Sequence, residues 1–457
     1  MPRPRVTSQF VRTPAASPVA VGTRVMAIIG PGSDSFTIQE AVVKGSPGGQ
    51  DTLAHIAAAI VKVGDYKGTQ NYVATIDYLL TDGKIDWSPS GVGAKEPTTG
   101  ATYYVTYTYE KDEETDYVPY LTDNFDEVAT KEGAINVTSG VLDVASYLSE
   151  AAQIAFNIGV RQVIICPVVT NDEAGYTAAF TKLENPVNSV NPYYIVPLLG
   201  SLAIDEFDAV KALALAHCHK MASEEFGKER MLYTGKKNYG GSGSEIGADD
   251  FINEATALLD SREVLCGNYD PIRVISGENV VLDGCFQAVS LAAFRCTQFI
   301  SDPMMNRPIV GGFIGFNTRW GDIDVDNLVD GGVCVSEELS SIIKVVDDIT
   351  TNTSDEIEVD INTVEARDIL IMTLRNQIEK KFKGARGTNS VSSELKAYTE
   401  DYLDQRVGDG TIAGKGSVSA NRQSGSLRKW EIAFTYLPVT KVRDINIKFS
   451  VDIGLAA

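Results

Sequence analysis

Between Leu148 and Phe299 the chain alternates amphipathic helical patterns with short runs that are apolar at nearly every position, and this rhythm constrains the fold more than any other feature. Helical periodicity over Leu148–Ile158, Glu173–Leu183, Glu206–Glu225, Ala248–Leu259 and Asp283–Phe299 is interleaved with runs at Val163–Cys166, Tyr193–Val196, Arg230–Tyr233 and Ile272–Ile275. A strand that is apolar on both sides must be covered on both faces, and helices between such strands are the connections that parallel pairing requires. The segment therefore predicts a parallel sheet in an α/β layer of about 200 residues.

The flanks have a different texture. Residues 1–23 are rich in Pro, Arg, Ser and Thr, and Pro14 and Pro18 block a helix, so they read as an extended arm in which Val6, Ser8 and Phe10 share one face of a short strand. From Arg24 short β segments follow at Val25–Ile29, Tyr72–Leu80, Lys84–Trp87 and Thr102–Tyr109, with a hairpin signal at Asp82-Gly83 and a helical look over Thr52–Val63. Beyond the α/β layer, Val333–Val335 and Ile342–Val346 read as strands. Asn362 followed by Glu365 matches a capping box at the start of a helix whose apolar stripe is Val364, Ile371, Leu374, Ile378 and Phe382. That helix ends at Gly384, and a second spans Ser392–Arg406. After a Gly- and Ser-rich stretch come two alternating strands. Trp430, Ile432, Phe434 and Tyr436 mark one, and Ile445, Ile447, Phe449, Val451 and Ile453 mark the other.

These parts give an α+β multidomain chain: an N-terminal arm (1–23), a β-rich domain (24–117), an inserted α/β domain (118–318) and a C-terminal α+β assembly domain (319–457) that ends in an arm strand. A length of 457 residues fits several cores. The net charge of −21 argues against binding nucleic acid or an anionic membrane, because such binding is driven by Lys and Arg. No apolar run approaches the roughly 20 residues needed to cross a bilayer, and the first stretch lacks the apolar region of a signal peptide, so a cytoplasmic site of synthesis is expected. The charge is uneven. Arg3, Arg5, Arg12 and Arg24 precede the first acid, and the stretch from Lys415 to Lys448, including Arg443, is also basic, whereas Asp322–Asp360 is strongly acidic. Basic ends on an acidic body describe arms that seek another copy of the same chain, although a charge run is also what a solvated face looks like.

No catalytic, metal or cofactor residues emerge. Gly30-Pro31-Gly32 follows an apolar strand as a dinucleotide loop would, but Ser35 replaces the third glycine and Phe36–Val43 reads as strand, so no helix N-terminus is there to hold a phosphate. The loop Gly240–Ser244 lacks the ending of a P-loop. His217 and His219 stand two apart in a helix and diverge, and His55 is the only other imidazole. Six cysteines without a CxxC pair read as buried small apolar residues.

The order of parts resembles the contractile tail sheath family. The resemblance rests on the Pro-rich arm, the Pro97–Tyr109 stretch with Gly100 and then Tyr103 to Tyr109, the Thr350-Thr351 segment, Ile357–Ile361, the Arg367-Asp368 helix, and Pro438-Val439 leading to Arg443–Ile453. It departs from the family in lacking a Pro-Gly-Val-Tyr opening. The resemblance implies a virion protein of a phage tail, assembled in the host cytoplasm and stacked in six-fold rings around a tail tube. It implies as partners further copies of itself, the tail tube protein, and baseplate and tail terminator proteins, with no cofactor, no nucleic acid and no membrane insertion. Arms of such proteins add strands to neighbouring subunits, which designates Val6, Phe10, Trp430, Ile432, Phe434, Ile445, Ile447, Phe449, Val451 and Ile453 for strand exchange, and Arg3, Arg5, Arg12, Arg443 and Lys448 for electrostatic contacts. Burying five large side chains of the closing strand stabilises by roughly 1.5–3 kcal/mol each, while ordering its roughly nine backbone residues costs about 1–2 kcal/mol apiece. The two nearly cancel, so the strand is expected to order only against a neighbour. The competing readings are an α/β hydrolase-like enzyme with appended β domains, or another virion component such as a baseplate protein.

Overall fold

The structure, a computed structural model, describes residues 24–65, 70–88, 94–236, 246–340, 342–382, 390–424 and 430–442. It is a mixed α/β protein with several sheets. Strand β1 (Met26–Gly30) is buried throughout. Grouped with the β-rich segment on sequence, it lies instead inside the α/β sheet, parallel to β12 (Val163–Pro167) on one side and to β13 (Tyr194–Pro197) on the other. Among the described residues that sheet runs β15-β14-β13-β1-β12-β9, with β14 (Met231–Gly235) and β15 (Glu263–Cys266) parallel and β9 (Tyr120–Thr122) antiparallel at its edge.

Strand periodicity explains the two covered faces. Met26, Ile28, Val163 and Ile165 point to one side, where they pack with Leu148, Ala151 and Ala155 of α2 (Tyr147–Ile158) and Phe286, Val289 and Ala293 of α6 (Gly284–Thr297). Ala27, Ile29, Ile164 and Cys166 point to the other, against Tyr176, Phe180 and Leu183 of α3 (Glu173–Leu183) and Val210, Ala214 and Cys218 of α4 (Ile204–Ala222). Strand β14 passes so close to the start of α6 that a Cβ on Gly235 would meet the Gly284 carbonyl oxygen at 2.1 Å, so only glycine fits there. Strand β15 has no counterpart in the sequence reading because it opens on Glu263, a buried carboxylate that accepts from Thr234 at 2.7 Å and pairs with Lys211 at 2.9 Å. The run at Ile272–Ile275, expected in the parallel sheet, forms the hairpin β16 (Pro271–Ile275) and β17 (Glu278–Val281), which pairs with β19 (Gly315–Phe316) in a separate antiparallel sheet. Ser276 and Gly277 both take positive φ in its two-residue turn, the geometry that matches strand twist.

Between β1 and β9 the chain builds the β-rich unit as two sheets. One runs β2 (Ser35–Val43), β8 (Thr102–Glu110), β4 (Ala59–Gly64) and β5 (Asn71–Tyr72), and the other β3 (Gln50–Asp51), β7 (Lys84–Asp86) and β6 (Leu79–Thr81). Val63, Ile85, Trp87, Tyr103, Val105 and Tyr107 fill its core, where the buried Asp51 carboxylate accepts from Trp87 Nε1 at 2.9 Å and Tyr103 Oη at 2.8 Å. Asp82 and Gly83, at φ 50° and 72°, form the predicted hairpin turn between β6 and β7. The expected helix at Thr52–Val63 is absent: Glu40 accepts from the Ala54 amide and β8 draws Ala59–Gly64 into the sheet, so a cross-strand partner overrides local propensity.

Helix α1 (Phe125–Glu132) is capped by Asn124, and the hairpin β10 (Val137–Thr138) and β11 (Val141–Leu142) leads into α2. Helix α5 (Ala248–Leu258) packs on α7 (Asp322–Asp330), which turns the first part of the acidic stretch into a helix, through Phe251, Ala255 and Leu328. Strands β18 (Pro308–Ile309), β21 (Ile342–Val345) and β20 (Ser336–Leu339) form a small sheet. The chain then gives α8 (Ile361–Phe382), α9 (Ser390–Gly408) and the antiparallel pair β22 (Ile412–Arg422) and β23 (Trp430–Pro438). The first part of the stretch read as a Gly- and Ser-rich connection is thus an eleven-residue strand. Its sparse apolar residues suffice because Ile412 and Val418 pack on Leu370 and Leu374 of α8 and Tyr402 and Leu403 of α9.

Candidate assembly interface

Among the described residues β22 and β23 pair only with each other, which leaves an open edge on each side. The predicted residues Trp430, Ile432 and Phe434 alternate on the half-buried face of β23. Trp430 and Ile432 pack with Val391, Leu395 and Ala420, and Phe434 with the α8–α9 cluster, so these side chains face their own helices and what remains available on β23 is its backbone. Two bulge-like register shifts, at Ile412/Gly414 and Lys415/Val418, bend β22. A two-stranded sheet is marginal by itself, and this one is held by the helices beneath it. Val6, Phe10, Ile445, Ile447, Phe449, Val451 and Ile453, with Arg3, Arg5, Arg12, Arg443 and Lys448, lie outside the described residues.

The described chain begins at Arg24 and ends at Val442, and a buried ion cluster sits at each end. The Arg24 guanidinium donates to Glu365 Oε2 at 2.7 Å and Tyr194 Oη at 3.2 Å, and to the Gln298 carbonyl oxygen. Glu365, wholly buried, also accepts from Arg295 Nε at 2.8 Å and from the Tyr194 hydroxyl. Burial works against the Arg24 charge, yet Tyr194 and Glu365 outweigh it and hold its pKa above the ordinary arginine value.

At the other end Lys441 Nζ reaches Asp360 Oδ1 at 2.9 Å and Asp348 Oδ1 at 3.4 Å, and contacts Asp347. All three carboxylates are buried. Burial opposes the Lys441 charge, but Asp348, Asp347 and Asp360 together raise its pKa. Burial also pushes Asp348 and Asp360 up despite the lysine, as expected when one cation faces three acids in a dry site. Part of the basic C-terminal stretch therefore meets part of the acidic stretch within one chain.

The capping-box pattern at Asn362 and Glu365 has another meaning. The Asp360 carbonyl accepts from the amides of Thr363 and Val364, so Asp360 precedes the helix and Asn362 lies inside it. Asn362 Nδ2 donates to the Ser301 carbonyl at 3.2 Å and the Val439 carbonyl at 3.1 Å. Sequence reasoning found both residues but misread their role, and it missed Arg295, Asp347, Asp348 and Lys441 as partners. Only the opposed charge of the two stretches signalled Asp347, Asp348 and Lys441, and nothing in the sequence pattern signalled Arg295.

The remaining candidates take structural places. Gly30-Pro31-Gly32 leads directly to β2, and Gly30 packs under Leu198, where a Cβ would stand 2.8 Å from the Leu198 Cβ. His217 is buried, stacked on Phe180 at 5.3 Å with Arg230 at its Nε2, and burial together with Arg230 depresses its pKa to about 3. His219 instead reaches Asp260 at 2.5 Å at the surface. The six cysteines are free, all but Cys296 fully buried. Among the described residues no group of three His, Cys, Asp or Glu is placed to hold a metal, and no helix is long and apolar enough to cross a membrane.

A family described as a domain of unknown function (DUF4815) matches residues 15–155. The tail sheath protein of Bacillus phage SP01 is 26% identical over 222 residues, which cover 48% of this chain and 37% of that protein. The sheath tail protein of Desulfitobacterium hafniense superposes with a TM-score of 0.52 at 12% identity, covering 96% of this chain and 97% of that one. This chain has the fold of a tail sheath protein. The contracted helical sheath of the anti-feeding prophage also matches, at TM-score 0.55 and 14% identity over 75% of this chain and 90% of that one. The relatives carry the names of structural sheath proteins and not of enzymes. The matched stretch spans little more than a third of the phage SP01 protein.

Proposed function

We propose that this chain is a structural subunit of a contractile phage tail sheath, which polymerises around a tail tube by lending its terminal strands to neighbouring copies. The observation that carries this reading is the two-stranded β22–β23 sheet, whose outer edges pair with nothing among the described residues, while the first and last described segments are anchored at Arg24 and Lys441. An open edge accepts an incoming strand through main-chain hydrogen bonds, and alternate side chains set the register. Because lending is head-to-tail it propagates and does not close on a pair, so rings and then a tube follow. Contraction is rotation of rigid bodies about the arms, driven by a metastable extended lattice and pushing the tube through the host envelope. The tail tube, baseplate and tail terminator proteins are the further partners, and the virion is the site of action.

Removal of residues 443–457 tests the reading. The truncated chain is expected to remain a folded monomer with the thermal midpoint of the full chain and to form no tubes by electron microscopy. Striated tubes from the truncated chain would refute strand lending.

A further inference from the structure

The roots of the two arms meet on one turn of helix. Within the six residues Asp360–Glu365, Glu365 binds Arg24 at 2.7 Å, Asn362 binds the Val439 carbonyl at 3.1 Å, and Asp360 binds Lys441 at 2.9 Å. We infer that the first turn of α8 is a junction coupling the N-terminal and C-terminal arms of one subunit, with Glu365 and Asn362 as its positioning residues. This rests on the reading of the two ends as inter-subunit arms.

The junction is stiff for stated reasons. Its backbone is closed by the Thr363 and Val364 amides on the Asp360 carbonyl and by the Ile361 amide on the Asp348 carbonyl. Its side chains are shared: Glu365 also holds Arg295 and Tyr194, Asn362 also holds the Ser301 carbonyl, and Asp348 accepts the Met304 amide at 2.9 Å. Arg295 in turn donates to the carbonyls of Ile300 and Asp302, so the segment Ile300–Met304 braces the turn from one side. The side chains of Glu365, Asn362, Asp348, Arg295 and Tyr194 are buried, and in such surroundings a displaced charge finds no water to replace its partner, so the bonded groups shift together or not at all. A pull on the chain before Arg24 thus reaches Val442 through direct bonds across a single helical turn. In a sheath this makes each subunit pass the state of one neighbour to the next.

Hydrogen exchange of the full-length free chain tests the coupling without any assembly. In Arg24→Lys, which keeps the charge but loses the planar fork, exchange over residues 436–442 is expected to rise at least about threefold, the factor that weaker couplings within one network produce, while β12 in the middle of the sheet stays unchanged. Lys441→Arg should raise exchange over residues 24–30 in the same way. Glu150→Gln, which alters a distant buried ion pair with Arg273, should move neither segment. Changes confined to the segment carrying each substitution would overturn the coupling, and so would loosening that includes β12 equally. Either result leaves strand lending to be judged by the truncation alone.

Discussion

The six-stranded sheet and the β22–β23 pair solve the same problem in opposite ways. In the first, helices cover both faces of every central strand, β9 and β15 finish the edges, and Met26, Ile28, Val163 and Ile165 have no exposure. In the second, one face rests on α8 and α9, the other shows Glu431, Ala433, Thr435 and Leu437 to solvent, and among the described residues nothing pairs with its edges. Among the described residues one region is complete, and the other, on the proposed reading, is finished by a strand from another copy. If the chain polymerises as proposed, the comparison teaches that such a protein can confine its incompleteness to one small sheet and keep a self-sufficient body beside it.

The ion cluster that ties the two regions should give the largest effect. Lys441→Met strands three buried carboxylates and is expected to cost about 3–5 kcal/mol at pH 7 in chemical denaturation. The sign with pH follows from the raised Asp348 and Asp360. A carboxyl whose folded pKa exceeds its unfolded value binds protons sooner when folded, so stability rises as pH falls toward the unfolded value. The variant's deficit should therefore shrink at pH 5, and a deficit independent of pH would contradict the charge account. Next, Ile165→Ala in the closed sheet should cost about 2–5 kcal/mol and lower the unfolding of the whole body. Phe434→Ala, on a half-buried face, should cost about 1–2 kcal/mol and loosen only β22, β23 and α9, as hydrogen exchange would report. Equal loosening of both regions would erase the distinction between them.

The smallest effect concerns two groups inside the body. Burial raises Glu150 to about 7 despite Arg273, and burial with Arg230 lowers His217 to about 3. From pH 7 downward Glu150 adds stability by taking up a proton, while His217 loses it below the unfolded histidine value near 6.5. The two oppose each other, so Glu150→Gln should make the body more acid-sensitive between about pH 5 and 6.5. An unchanged pH profile would show that Glu150 does not titrate there.

What the sequence disclosed follows the same division. The body was legible because each strand is apolar on both sides and each helix has a matching stripe. Two strands were misplaced: β1, whose partners lie more than a hundred residues away, and β16, whose apolar run reads like a parallel strand but pairs antiparallel with its neighbours in sequence. Strand β15 stayed hidden because a buried Glu263 looks like surface until Lys211 is found beside it. In the C-terminal region β23 was plain from its alternation, but β22 was not, because its side chains are small and its stability comes from α8 and α9. The Lys441 cluster could be sensed only as opposed charge runs and the Arg24 cluster not at all, because sequence spacing does not say that residue 24 meets residue 365 or residue 441 meets residue 360.

Cryo-electron microscopy of tubes assembled from the purified chain tests the central claim most directly, by tracing which polypeptide lies beside β22 and β23. The account predicts a strand from another copy, carrying residues 445–453 or the N-terminal arm, hydrogen-bonded along each open edge. A tube in which those edges are covered by the subunit's own residues 443–457, or left in solvent, would contradict it.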